Sequence, residues 1–228
     1  MKKMALLMIG FFISFPGMAQ WSVSYSAGYG TYDMSDMKTY LAEHYQSVLE
    51  VIPGLDLVIT DNFPGYVTHT LDIGYKFHQH EVGVKGSYLS TAGKYSYADY
   101  SGEISSEVSL DGYRGGAYYR YYFYQINLNA KQNISFWGEA APACIFSKVK
   151  INGVMTPQNE IVKMENKSFD CFSFSILPQL GIKYTLFSNI DLRLSFGYEI
   201  DFSSRISDID SKVNWSGFRC SGGIGYVF

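Results

Sequence analysis

The stretch that decides the fold is Trp215-Ser-Gly-Phe-Arg-Cys-Ser-Gly-Gly-Ile-Gly-Tyr-Val-Phe228. Phe218, Cys220, Gly222, Ile224, Tyr226 and Phe228 share one face of it. Gly217, Arg219, Ser221, Gly223, Gly225 and Val227 share the other. Alternation with a period of two marks a strand whose faces meet different surroundings. Here one face is apolar and aromatic at its end, and the other is small or charged.

The same rhythm recurs upstream. It predicts strands over Trp21–Tyr32, Tyr66–Phe77, Glu81–Ser90, Val108–Tyr124, Asn133–Ile151, Lys167–Phe187 and Ile190–Arg205. The last of these is the cleanest, with Ile190, Leu192, Leu194, Phe196, Tyr198, Ile200 and Phe202 set against Asp191, Arg193, Ser195, Gly197, Glu199, Asp201 and Ser203. Asn133–Ile151 is the least tidy, and Pro142 predicts a bulge there, because proline donates no ladder hydrogen bond. His78-Gln79-His80 and Ser188-Asn189 read as tight turns and Gln125–Gln132 as a short connection. Thr91–Glu107, Asn152–Asn166 and Ile206–Val213 read as polar loops. The total is eight strands, with connections alternating long and short.

Asp33–Gly65 breaks the pattern. Met34, Met37, Leu41, Tyr45, Val48 and Ile52 recur at three- and four-residue spacing, the mark of an amphipathic helix over 35–52. Asp33 or Ser35 is the candidate cap, Pro53-Gly54 ends the helix, and Asp61-Asn62-Phe63-Pro64-Gly65 is loop. Such a helix packs its apolar face on the domain, lidding the barrel mouth, or serves a binding role.

At the N-terminus, Lys2 and Lys3 precede an apolar run from Met4 to Phe15 and a small-x-small end, Gly17-Met18-Ala19. This is the pattern of a secretory signal over 1–19, cleaved before Gln20. It leaves residues 20–228 as one domain. No cysteine follows the cleavage point, so a lipid anchor is not expected.

Setting aside Lys2 and Lys3 leaves 16 basic against 21 acidic residues, a net charge of -5, which gives no reason to expect nucleic acid. Charged residues make up 17% of the chain and aromatics 17%, with 20 Tyr and 16 Phe. Few charges and many amphipathic rings suit a surface that meets lipid. No apolar stretch after Ala19 is long enough for a transmembrane helix, so a membrane crossing would have to be a closed barrel. Three cysteines make no disulfide framework. Cys144 faces outward and Cys171 inward on this reading, which argues against a bridge without a bulge, and all three serve as small packing residues.

Alternation alone does not say which face is outside. A secreted sandwich or lipocalin-like barrel gives the same strings with charges outward. Four features favour the inverted arrangement: strands at least as long as the about 9–11 residues a bilayer needs, alternating connection lengths, a charged face rich in Gly and Ser, and an export signal paired with a terminal Phe. The predicted class is all-β: an eight-stranded antiparallel up-and-down transmembrane β-barrel with one helix in its first long loop.

On those residues the chain resembles the eight-stranded bacterial outer-membrane barrels of the OmpA, OmpX and OmpW type. More narrowly, it resembles the outer-membrane β-barrel proteins of Bacteroides-like bacteria. The narrower likeness is carried by Gly28-Tyr29-Gly30-Thr31-Tyr32 with Met34 and Asp36-Met37, by Asp61-Asn62-Phe63-Pro64, and by Asn214-Trp215-Ser216-Gly217. It spans residues 20–228 but is architectural, and implies no catalytic residue or cofactor. It implies a Gram-negative outer membrane, lipid as surroundings, and an assembly machinery that reads a closing strand through Phe218, Ile224, Tyr226 and Phe228. No peptidoglycan-binding domain is expected after the barrel, and the expected state is a monomer.

On this reading the lumen face carries Asp72, Glu81, Glu139, Asp191, Glu199 and Asp201 as acids, and Lys76, Lys85, Arg114, Arg120, Lys183, Arg193 and Arg219 as bases. An eight-stranded barrel holds only its own side chains, so these charges must pair. They form either a structural ion-pair plug or a narrow gated path. Enzyme readings are weaker. His69 faces lipid, His44 lies in the loop helix, and His78-x-His80 sits in a solvated turn without metal-ligand spacing. Gly28-Tyr29-Gly30 has no following helix to make it a phosphate loop. Three functions remain: a structural or surface-interaction barrel presenting long loops, a channel for a small or apolar solute, and a secreted ligand-binding barrel. The extracellular partner is unknown. The first is the expectation.

Overall fold

A computed structural model describes residues 19–51, 58–60, 63–99, 102–129, 131–157, 162–163, 166–202, 204–205 and 211–228. The signal segment up to Met18, the Pro53-Gly54 helix end and Asp61-Asn62 lie outside the described residues.

Eight long strands among the described residues close a ring. They are β1 (Ala19–Gly30), β3 (Val67–Phe77), β4 (His80–Asp99), β5 (Gly102–Asn129), β6 (Gln132–Pro157), β8 (Lys167–Leu186), β9 (Ile190–Asp201) and β12 (Gly217–Val227). Each pairs antiparallel with its neighbours in sequence, and β12 returns to β1, with Tyr25 opposite Ile224 and Ser22 opposite Val227. Closure leaves no open edge in the ring. Four short strands lie outside it. β2 (Val58–Thr60) pairs with the far end of β4, β7 (Val162–Lys163) with that of β6, and β10 (Ser204–Arg205) with β11 (Lys212–Val213). The eight-stranded antiparallel prediction holds.

The outward face of the ring is an apolar band. Val23, Leu71, Ile73, Val84, Leu180, Ile182, Leu192, Leu194 and Ile224 are exposed along its middle. Trp21, Tyr121, Phe123, Phe187, Tyr226 and Phe228 border it at one end, and Tyr29, Tyr66, Tyr113, Phe146, Phe202 and Phe218 at the other. On β5 the span from Tyr113 to Tyr121 matches the about 9–11 residues of a bilayer crossing. An apolar belt of this extent, edged by aromatic rings, has no place in water. The barrel is of the transmembrane type.

Several segments read as loop are strand instead. β4, β5 and β6 run on past the outer aromatic ring, so Thr91–Glu107 forms the ends of two paired strands, joined across residues 100 and 101. The reading missed this because the two faces exchange chemistry at that ring. On β5, Tyr113, Tyr119 and Tyr121 point outward within the band, but Glu107, Ser109 and Asp111 continue that face beyond it. Inward, Arg114 and Arg120 give way to Leu110 and Val108. On β6, Phe146 is followed outward by Lys148, Lys150 and Asn152, and Glu139 is followed inward by Ile145 and Val149. The barrel is polar inside where lipid surrounds it and apolar inside where water does. Just outside the ring, burial alone would raise the Asp111 carboxyl. Hydrogen bonds from Lys150 Nζ (2.8 Å) and Tyr88 Oη (2.7 Å) outweigh it and hold that carboxyl below its usual range.

Pro142 makes no bulge. β6 pairs with β8 in unbroken register across it, Pro142 opposite Ile176. The irregularities lie on β5, between Tyr122 and Tyr124 and between Asn127 and Asn129. The three cysteines are free, with Cys171 packed against an inner apolar cluster and Cys220 exposed.

Candidate functional site

The lumen holds two layers of charge below an apolar cap. The lower layer is centred on Arg120 of β5, which stands directly between Glu81 of β4 and Glu139 of β6 in cross-strand register. Its guanidinium donates to Glu81 Oε1 (2.8 Å), to Glu139 Oε2 from Nε (2.9 Å) and Nη2 (2.6 Å), and to Asp72 Oδ2 (3.3 Å). It stacks on the rings of Trp137 (4.4 Å) and Tyr118 (4.9 Å). A planar fork with five donors suits this position as an ammonium would not.

The three carboxylates have further partners. Glu81 accepts from Tyr118 Oη (2.7 Å) and from Tyr122. Glu139 pairs with Lys85 and accepts from Gln179 Nε2 (2.6 Å). Asp72 accepts from Ser24 Oγ (3.2 Å), and Arg193 lies 3.8 Å from Asp72 and 3.9 Å from Glu81. Arg193 and Lys183 share Asp191 Oδ2 at 3.4 Å each, while Thr185 donates to its other oxygen. Lys76 lies over the Tyr122 ring at 4.5 Å.

The upper layer is smaller. Arg114 Nε meets Glu199 Oε1 at 2.9 Å, and Arg114 Nη2 donates to the Ala141 carbonyl at 2.6 Å. Between the layers lies a cavity of about 50 Å³ lined by hydroxyls such as Ser26, Thr68, Ser195 and Ser221, enough for a few waters.

Above the charges sits the apolar cluster of the outer end. Helix α1 (Ser35–Val51) lies over the mouth and sends Met37 and Leu41 inward, joined by Met34 just before it. They pack with Phe63, Leu89, Leu110, Ile145, Val149 and Trp215, which are buried. The predicted helix is present and lies at the mouth. The side chains of Tyr45 and Val48, and all of Ile52, lie outside the described residues.

Trp215 ties the cap to the barrel. Its ring meets Tyr32 edge-on at 4.9 Å, its indole N–H donates to Ser147 Oγ (2.8 Å), and its backbone N–H donates to Asp201 Oδ2 (2.9 Å). Gly112 leaves room for the indole, since a Cβ there would stand 2.9 Å from Trp215 Cζ2. Asp33 accepts from the Asn214 amide (3.3 Å) and Asp36 from the Lys212 N–H (3.2 Å). Arg219 donates to the Thr31 and Trp215 carbonyls, both at 2.6 Å. The described residues that carried the narrower resemblance, on three distant stretches, thus meet at the cap.

Gly217 has φ of +154°, and a Cβ there would lie 2.1 Å from the Thr31 carbonyl oxygen. Gly217→Ala is expected to destabilise the protein by about 2–3 kcal/mol through strain and clash together. Urea unfolding of the reconstituted barrel measures this, and a change under about 0.5 kcal/mol would refute the close approach.

Of the thirteen charged residues expected in the lumen, eight meet in the lower layer: Asp72, Glu81, Lys85, Arg120, Glu139, Lys183, Asp191 and Arg193. Arg114 and Glu199 pair separately, Asp201 and Arg219 serve the cap, and Lys76 sits at the inner end. The sequence reading missed Tyr118, Tyr122, Trp137 and Gln179 as partners. Their signal was parity, since all four share the charged face of their strands. His80 is not in a solvated turn. It opens β4, bonds Tyr119 Oη through Nδ1 (2.7 Å) and stacks on Phe77 in the inner aromatic border. His69 faces outward and bonds Tyr25 Oη at 2.7 Å. Among the described residues no group of three or more His, Cys, Asp or Glu could hold a metal ion.

No protein-family model matches the chain, and no curated protein does either. Similar solved structures include Ail, the attachment invasion locus protein of Yersinia pestis, in complex with the heparin analogue sucrose octasulfate. It is 15% identical over 93% of this chain and 100% of that one, with a TM-score of 0.41. Neisserial surface protein A is 11% identical over 93% and 100%, TM-score 0.40. The N-terminal β-barrel domain of Pseudomonas aeruginosa OprF is 14% identical over 92% and 100%, TM-score 0.35. The transmembrane character follows from the chain's own apolar band: it is an eight-stranded antiparallel barrel with charged side chains inside the band and a helix-capped apolar core beyond it.

Proposed function

We propose that the chain is an integral outer-membrane protein with a plugged lumen, exported by its N-terminal signal with cleavage before Gln20. Its role is structural or in surface interaction, without catalysis, and it works as a monomer. The observation that carries the reading is two barriers in series. The Arg120 layer fills the lumen within the band, and the α1–Trp215 core fills it beyond, with about 50 Å³ of space between the two charge layers. What remains for partners is the polar outer wall of β4, β5 and β6 and the outward side of α1. The outward Phe218, Ile224, Tyr226 and Phe228, on or beside the strand that closes the ring, support recognition of that strand by the assembly machinery.

The test is single-channel recording on protein reconstituted in vesicles, with folding checked by a heat-dependent gel shift. Folded and silent protein is the expected result. Steady, salt-dependent current steps would instead make the chain a channel for small solutes. Recovery in the soluble fraction without detergent would overturn the membrane assignment itself.

A further inference from the structure

We propose that the inner end of the lumen, opposite the cap, is a binding site for a phosphate-type oxyanion, either free or on a lipid headgroup. The lower layer has five cations (Lys76, Lys85, Arg120, Lys183, Arg193) and four carboxylates (Asp72, Glu81, Glu139, Asp191). Each of the four other cations lies within 4.0 Å of a carboxylate. Among the described residues no carboxylate lies that close to Lys76. Its ammonium rests on the Tyr122 ring at 4.5 Å, and Lys183 approaches the same ring at 4.7 Å. Asp191 is already shared between Lys183 and Arg193. A half-buried surplus cation calls for a counter-ion.

The space for one is present. Lys76 and Lys183 open into a vestibule of about 480 Å³ at the end where the 78–79 and 187–189 turns lie. Lys131 stands at its rim, Asn127, Asn129 and Asn133 supply amide donors, and Asp191 is the only acid in the described lining. Three ammonium groups and several amides around one recess match the several acceptor oxygens of a phosphate, to which lysine is suited as a point charge. The inference rests on the proposed membrane placement only for which compartment the vestibule faces; its charge balance does not depend on it.

The test is phosphate titration of the full protein in a non-ionic detergent free of phosphate, read by calorimetry and by the shift in unfolding temperature. Saturable binding is expected, weakened about tenfold in Lys76→Gln and less in Lys131→Gln, an exposed residue whose change leaves the fold intact. Lys148→Gln, on the outer face at the other end, should bind as the parent does. A second arm compares vesicles with and without phosphatidylglycerol. Lys76-dependent stabilisation only by the anionic vesicles would assign the site to a headgroup, and by free phosphate to a soluble ion. No Lys76-dependent effect in either arm overturns the proposal. That failure is distinct from a failure to insert into membranes, which leaves the detergent titration untouched.

Discussion

Arg120→Met should unfold the barrel more readily than any other single charge removal in the lumen, with a loss of about 3–5 kcal/mol or more. The reason is what remains. Glu81 and Glu139 would keep their tyrosine, glutamine and Lys85 partners, and Asp72 its serine, but one guanidinium that meets all three would be gone. The carboxylates are almost fully buried, so water cannot replace it. Methionine fills much of the volume against Trp137 and Tyr118, so the loss reports charge rather than a cavity. Arg120→Lys should recover only part of it, because one ammonium cannot reach three carboxylates in a fork. Adding Glu139→Gln to Arg120→Met should regain stability by removing one uncompensated charge. Urea midpoints from the heat-shift gel measure all three. Parent-like stability in Arg120→Met would mean that the layer does not hold its charge as the geometry indicates.

The path to that layer shows what the sequence made legible. Period-two alternation placed Arg120, Glu81 and Glu139 on one face of their strands, and the inverted arrangement put that face inside. Which charges would meet was not legible, because it depends on register. Extending the hairpin straight from the Asn129–Gln132 pair would set Arg120 opposite Ala141. Two irregularities on β5 each shift the pairing by one residue, and bring Glu139 opposite it instead. No proline or glycine announces either one. The face exchange at Tyr113 was hidden for another reason. Alternation persists through it, but the residues beyond are Ser, Tyr and Glu on a strand that has left the lipid, and their composition resembles a loop. Helix α1 was legible because its apolar spacing differs in kind from that of its neighbours. Its partner Trp215 was not, since nothing local shows that an indole 181 residues from Met34 will share its core.

Met37→Asp should free the cap while sparing the barrel. Met37 is 1% exposed, inside a cluster whose members are apolar, so a carboxylate there would be buried without a designed partner. Such burial costs several kcal/mol. The cheapest relief is for α1 to leave the mouth, because the barrel ring is hydrogen-bonded strand to strand without it. Undocking favoured by about 3 kcal/mol raises the open population on the order of a hundredfold. Limited proteolysis within 35–51 should speed up by a similar factor, while the heat-dependent gel shift persists. Met37→Leu, close in volume, should cleave at the parent rate. Reconstituted Met37→Asp should still pass no current, because the Arg120 layer lies deeper in the lumen and does not use the helix. Current steps in Met37→Asp alone would make α1 the working gate and the ion layer permeable. Loss of the gel shift would make cap and barrel one cooperative unit, with Trp215 and its bonds to Ser147 and Asp201 as the link through which the helix supports the strands.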